Sequence, residues 1–417
     1  RADVYCANGT IQAIGENLSA GSAETIDGRA KLVMPGLTNA HVHSWEAMYK
    51  GRYDNLPLEL WMLLCYPILG AVPLPPRLIY LRTMIVGMEC LKTGVTNVLD
   101  DVIEMPGQDL DQLEAIFQAY DDLGIRANVS GHIINRPFSE TIPFTDELLP
   151  DDLKAKVSAA APPSTQTFID LAEEAVSRFH NKKGRPRTAI AHSIWVTDED
   201  IRMIADAGST IIHNAISNQK LSVGIMPYRK IMDAGITIDL GSDDISTSDT
   251  PRIFDAMRAA GHLHNVTTAD YDSWLSAHEV MHMATLGGAY SALLEDQIGS
   301  LEIGKKADLV IMDLSNANFV PLNDARKHLI YCENGSSVET VIVDGETVVR
   351  DGLLTKVDEN ALLDEFRALW PELLAKHEPQ EERNQAFIPY FQEVYKRCAA
   401  VDLGIHRYGG ANMPKWP

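Results

Sequence analysis

Short apolar β-prone runs joined by tight polar turns mark both ends of the chain and give way in the middle to short apolar runs set between helical stretches. Residues 2–15 are β-rich and turn at Asn8-Gly9, a dipeptide suited to the positive φ of a tight hairpin turn. The pattern returns at residues 308–313, as one strand, and at 338–349, as a second hairpin turning at Asp344-Gly345. Two β segments this far apart predict one small domain, residues 1–33 plus 300–360, built around a larger insert.

The insert, residues 34–299, repeats a different unit. Residues 77–92 read as helix, 94–100 as strand, 124–130 as strand and 169–182 as helix. Residues 188–191 are a strand, 198–207 a helix capped by Thr197 or Asp198, and 209–213 a strand. Residues 228–234 are a helix stopped by Gly235, and 236–241 a strand. Alternation of this kind predicts an α/β fold of parallel strands joined by crossover helices. Active-site residues in such folds lie at the C-terminal ends of strands. The last stretch, 361–417, reads as helical and then irregular around Trp370, Pro371, Pro379, Pro389, Pro414 and Trp416. It is expected to pack on the insert or on a partner subunit.

Chemistry-bearing residues collect at the predicted strand ends. His41-Val42-His43 follows an apolar run with Pro35-Gly36. In a strand these imidazoles point to the same side and can share a divalent metal. Asp243 follows residues 236–240 and Gly241-Ser242, where a carboxylate can bind a metal and accept a proton from water; the alternative is a helix-capping Asp before Ser246-Thr247. His192 ends a strand and can bind metal or polarise a substrate. His213 opens the polar turn His213-Asn214-Ala215-Ile216-Ser217-Asn218, and His132 and Arg136 follow the strand at 124–130. These three, with His192 and Trp45, are candidate substrate contacts. Trp45, Glu46 and Trp61 are placed at the pocket mouth, and His262, His264, His278 and His282 are read as structural.

Composition narrows the function classes. The formal net charge of −22, from 58 acidic and 36 basic residues, repels phosphate backbones and excludes nucleic-acid binding as the main task. Five widely spaced cysteines without a C-x-x-C pair fit a reduced cytoplasmic protein, each thiol being read as buried and apolar. No apolar run approaches the roughly 20 residues that span a bilayer, and no P-loop or basic cluster marks a phosphate site.

Several motifs occur in a familiar order. They are Pro35-Gly36-Leu37-x-Asn39-x-His41-x-His43, Gly94-Val95-Thr96 with Asp100, Ala191-His192, and His213-Asn214-x-x-Ser217-Asn218-x-x-Leu221-x-x-Gly224. Leu240-Gly241-Ser242-Asp243, Ala284-Thr285-x-Gly287-Gly288-Ala289 and Ile298-Gly299-Ser300-Leu301-Glu302-x-Gly304-Lys305-x-Ala307-Asp308-Leu309 follow. Over residues 2–352 the chain resembles the amidohydrolase superfamily, in its cytosine-deaminase-like and triazine-hydrolase-like branch. The resemblance implies a distorted (β/α)8 TIM-type barrel with a small flanking β-sandwich built from both chain ends. It implies one divalent metal per chain, zinc first, with iron, cobalt or manganese as alternatives. His41, His43 and Asp243 match metal ligands, and His192 matches the strand-6 histidine that meets substrate or water.

The family's strand-5 histidine and the glutamate that follows it have no match here. Only 62 residues separate Ser130 from His192, too few for two further strands with their helices. An eight-stranded barrel cannot lose two strands without opening its hydrogen-bonded edge. The expectation is therefore an omitted segment near Gly184-Arg185-Pro186-Arg187, with a spatial break of the main chain between Lys182 and Thr188. The implied function is hydrolysis of a C–N or related C–S or C–Cl bond in a small neutral molecule. Either deamination or amide, urea or carbamate hydrolysis would serve, with Asp243 and His192 catalytic. A homo-oligomer is expected, with no nucleic acid or membrane partner. The alternative is a non-catalytic relative acting as a binding or assembly protein, and the missing strand-5 ligand is its support.

Overall fold

The computed structural model describes residues 2–19, 21–66, 72–104, 107–132, 136, 138–160, 164–179 and 188–408. The N-terminal hairpin forms as expected: β1 (Asp3–Ala7) pairs antiparallel with β2 (Thr10–Gly15). Asn8 and Gly9 take φ of 53° and 73° at its turn. An antiparallel sheet runs in the order β14 (Leu353–Leu354), β13 (Glu346–Arg350), β12 (Val338–Val343), β11 (Leu309–Asp313), β3 (Lys31–Pro35). The sequence ends thus meet in one sheet, because β3 pairs with β11 across nearly three hundred residues.

Between these ends lie two parallel sheets. The first is ordered β10 (Asp243–Asp244), β4 (Leu37–His43), β5 (Val95–Val102), β6 (Arg126–Gly131). The second is β7 (Ala189–Ala191), β8 (Thr210–His213), β9 (Ile238–Leu240). The break expected between Lys182 and Thr188 lies outside the described residues. Among the described residues no strand pairs β6 with β7. Burial matches that topology: β8 and β9 are buried throughout, whereas Asn128, Ser130, Gly131 and Ala189 are exposed.

The helices pack where the sequence period places them. The helix Pro76–Lys92 buries Ile79, Met84, Val86 and Leu91 against β5 and the helix Leu110–Leu123. Each such aliphatic side chain contributes roughly 1.5–3 kcal/mol on burial. Thr197 caps the helix Asp198–Asp206 by accepting from the Asp200 amide, as its sequence position suggests.

Two expectations are corrected. The C-terminal stretch stays helical well past its prolines. One helix, Glu359–Asn384, contains Pro371 and Pro379, and a second, Ile388–Ala400, starts with Pro389 in its first turn. A first-turn proline loses no helical hydrogen bond. The cysteines are all free, but only Cys65 and Cys90 are buried; Cys332 is exposed, Cys6 and Cys398 partly so.

Candidate metal centre

The parallel pairing of β10 with β4 sets Asp243 opposite Val42 and Asp244 opposite His43. Two close approaches make this seam. Asn39 donates through Nδ2 to Ser242 Oγ (2.7 Å) and accepts from the Ser242 amide (3.1 Å). Gly241 faces His41 so closely that a Cβ there would lie 2.3 Å from Asn214 Oδ1 and 2.7 Å from His41 Cβ. Glycine is the residue that allows the backbone this near.

The donors converge. His41 Nε2 and His43 Nε2 lie 3.1 Å apart, and Asp243 Oδ1 lies 3.3 Å from the first and 3.4 Å from the second. His192 Nε2 is 3.5 Å from Asp243 Oδ2. Carbonyl partners fix two tautomers. The Asp101 backbone oxygen lies 2.6 Å from His43 Nδ1, and Asn218 Oδ1 lies 2.8 Å from His192 Nδ1. A carbonyl oxygen only accepts, so each Nδ1 carries its proton and each Nε2 turns a lone pair inward. Asp243 Oδ1 is buried and has no hydrogen-bond partner. Lone pairs aimed at one another around such a carboxylate oxygen suit a cation. His41, His192 and Asp243 offer ligand atoms within 4.8 Å of one another, as do His43, Asp243 and Asp244. This donor set of imidazole nitrogen and carboxylate oxygen fits a divalent transition metal.

The carboxylates of this cluster draw positive charge: burial alone would lower His43, but Asp244, Asp243 and Asp101 outweigh it and raise it well above the imidazole range. Burial alone would raise the Asp243 carboxyl, but the imidazoles of His192, His41 and His43 outweigh it and hold it well below the carboxylate range. Burial pushes His41 down, with His43 adding to the effect. Burial also pushes Asp244 up to about 6. Glu46, entirely buried, is raised by burial and by Asp244 beside it. The backbone is strained here: His192, Ser193 and Asp243 take φ of 67°, 48° and 67°. Such conformations persist in non-glycine residues only where surrounding contacts impose them.

Other candidates fall into place around this centre. His132 stacks on His43 with ring centroids 5.7 Å apart, its Nε2 3.3 Å from Asp101 Oδ2. His213 is fully buried and pairs through Nε2 with His264 Nε2 at 3.0 Å. Burial, with His264 and His192 nearby, holds His213 well below the imidazole range, so it supports the wall as a neutral ring. Arg136 is exposed and pairs with Glu140; among the described residues no hydrogen bond or ion pair ties it to the cluster. Trp45, Glu46 and Trp61, expected at the pocket mouth, are all buried. Trp61 Nε1 donates to Ser246 Oγ (2.9 Å), which donates to Glu46. Trp45 lines a cavity of about 90 Å³ with Arg82, Glu104, Trp370 and His377. Trp61 and Glu46 close on internal partners, whereas Trp45 Nε1 is buried without one.

Sequence reading gives no role to Asp101 or Asp244, and places Glu46 near the site without assigning its carboxyl a partner. Asp101 meets His43 through its backbone oxygen, which no side-chain pattern reveals, and His132 through its carboxylate. Asp244 was visible as the second half of an Asp-Asp pair.

Comparison with known proteins decides the family. The Amidohydrolase family model matches residues 32–183 and 151–348. The chain belongs to the amidohydrolase family. This amidohydrolase is 30% identical over 389 residues to the 5-methylthioadenosine/S-adenosylhomocysteine deaminase of Desulforudis audaxviator (strain MP104C), covering 82% of this chain and 86% of that protein. It is 26% identical to the 5′-deoxyadenosine deaminase of Methanosarcina acetivorans, covering 89% of this chain and 94% of that one. Among solved structures, the zinc complex of atrazine chlorohydrolase TrzN from Arthrobacter aurescens TC1 matches with a TM-score of 0.78 at 23% identity, covering 89% of this chain and 95% of that one. A zinc-bound adenosine deaminase from Xanthomonas campestris matches with a TM-score of 0.70 at 22% identity, covering 90% and 94%. The amidohydrolase is thus a metal-dependent hydrolase of C–N bonds with a mixed α/β fold. Among the described residues no helix is long and apolar enough to cross a membrane.

Proposed function

We propose that this amidohydrolase deaminates a small neutral N-heterocyclic amine, with 5′-modified adenosines as the first class to test. One observation carries the substrate class: curated relatives named as deaminases of 5-methylthioadenosine and 5′-deoxyadenosine cover four-fifths or more of the chain. The centre supports the chemistry. His41, His43 and Asp243 would hold one divalent metal, zinc first. When bound, the metal supplies a Lewis acid that brings the pKa of water towards neutrality.

The chain's own residues do the rest. Asp243, surrounded by imidazoles and ionised, accepts the proton of the attacking water at a carboxylate oxygen. His192, its Nδ1 proton held by Asn218, accepts at Nε2 from the attacking water or a substrate N–H and so orients it. Asp243 returns its proton to the leaving ammonia. His132, stacked on His43, is placed to touch the substrate from the β6 side.

The same reading extends to the fold. We infer a distorted (β/α)8 TIM-type barrel over residues 34–299, a flanking β-sandwich from 1–33 and 300–360, and an extension over 361–417. Two β/α units of that barrel are not represented between β6 and β7. The Desulforudis alignment supports this, since it runs over 389 positions yet 82% of 417 residues is about 342. Some tens of positions in that relative have no counterpart here.

The test is ammonia release from 5′-methylthioadenosine and 5′-deoxyadenosine by zinc-loaded protein. Turnover of either, lost on chelation and restored by zinc, is the expected result. Turnover of neither, with release of an amine from an amide or urea instead, would move the substrate class away from nucleosides.

A further inference from the structure

The chain's last described segment crosses the loop that carries His192. The Arg407 guanidinium donates through Nε to the Ile194 carbonyl (2.7 Å) and through Nη2 to the Val196 carbonyl (2.5 Å). The Arg407 carbonyl accepts from the Ile225 amide, and Tyr408 Oη donates to the Ser222 carbonyl (3.3 Å). Trp195 completes the joint. Its Nε1 donates to the Val223 carbonyl (2.8 Å), and its ring meets Tyr408 edge-on at 5.8 Å. Segment 402–408 therefore ties two loops together, one following His192 and the other following Asn218, the partner of His192 Nδ1.

The contact is tight and specific. Gly224 has φ of +111°, and a Cβ there would lie 3.0 Å from the Arg407 carbonyl oxygen and 3.0 Å from Ile194 Cγ2. The loop it clamps begins with the left-handed pair His192 and Ser193. That pair needs outside contacts to persist. A planar guanidinium reaching two carbonyls two residues apart supplies them, and a lysine ammonium cannot span both in one geometry.

We propose that Arg407 is a positioning residue for the hydrolytic reaction: the C-terminal segment acts as a strap that keeps His192 aimed at Asp243. This rests on the reading that His192 meets the substrate. The strap carries no chemistry itself.

The test uses the full chain with zinc bound, as wild type, Arg407→Ala, Arg407→Lys and Gly224→Ala. Hydrogen–deuterium exchange by mass spectrometry reads the loop directly. Arg407→Ala is expected to speed exchange in residues 192–197 about tenfold, the size set by losing hydrogen bonds from a charged donor, and to leave β4 peptides unchanged. Gly224→Ala is expected to act in the same direction. Turnover of 5′-methylthioadenosine should lose about tenfold in kcat with KM within about twofold. Zinc per chain should stay unchanged, and Arg407→Lys should recover part of kcat. Unchanged exchange in 192–197, a general rise over the whole chain, or an unchanged kcat would overturn the proposal. His192→Asn separates the two failures. If it keeps full turnover, the role of His192 falls; if it abolishes turnover while Arg407→Ala does nothing, only the strap falls.

Discussion

The two sides of the parallel-stranded core differ. On one side β10 pairs with β4, and the residues at that seam are buried, mutually hydrogen-bonded and rich in metal-ligand atoms. On the other, β6 and β7 are edge strands of separate sheets with no pairing between them among the described residues, and their side chains are exposed or half-buried. His41, His43 and Asp243 belong to the first side, His132 and Arg136 to the second. The proposed cation site thus lies in a closed, over-determined seam. The proposed substrate contacts near β6 lie at a boundary with far fewer constraints.

The largest effect should come from the seam itself. Asp243→Asn keeps the shape but removes the charge, and should lower kcat/KM by about 10³ or more with unchanged far-UV circular dichroism. Turnover within tenfold of wild type would remove Asp243 from the proton transfer. Next, Gly241→Ala places a methyl group against Asn214 and His41. A loss of about 1–3 kcal/mol in unfolding free energy is expected, with weaker zinc retention, measured by denaturant titration with and without chelator. An unperturbed variant would mean the seam can relax.

A third effect depends on pH. Asp239, on β9, is fully buried, and burial pushes its carboxyl up to about 8. In the unfolded chain it ionises near 4. Between those values the unfolded state loses the proton and the folded state keeps it, so stability falls as pH rises from about 4 to 8. Asp239→Asn should therefore raise the melting temperature at pH 8 and do much less at pH 4.5. An equal gain at both pH values would show the carboxyl to be ionised in the fold. The smallest effects belong to the open side. His132→Ala should raise KM by less than about tenfold, within the range of one lost hydrogen bond, and Arg136→Ala should change neither kcat nor KM beyond twofold. A larger effect from Arg136 than from His132 would reverse the ranking of the two.

Much of this was legible in the amino-acid order. His41 and His43 share a face because strand geometry leaves no other choice, and Asp243 stands at a strand end that glycine and serine mark. Hairpins at Asn8-Gly9 and Asp344-Gly345 announce themselves by turn chemistry. What stayed hidden depends on distance in sequence. That β3 joins β11, that Asp101 orients His43 through its backbone oxygen, and that Arg407 reaches Ile194 are tertiary facts with no local pattern. Whether Trp45 and Trp61 stand at a rim or in a core is hidden for a related reason: an aromatic near a site is assigned only once its neighbours are known. The prolines of the C-terminal helices misled because hydrogen bonds lost at Pro371 and Pro379 were weighed without the packing that holds those helices.

The most direct test of the metal centre is the metal content of purified protein by inductively coupled plasma mass spectrometry, wild type against His41→Ala and Asp243→Ala. About one zinc or equivalent divalent ion per chain in wild type, falling below a tenth in both variants while they remain folded, is the expected result. No metal in wild type after zinc reconstitution, or full occupancy in the variants, would contradict it.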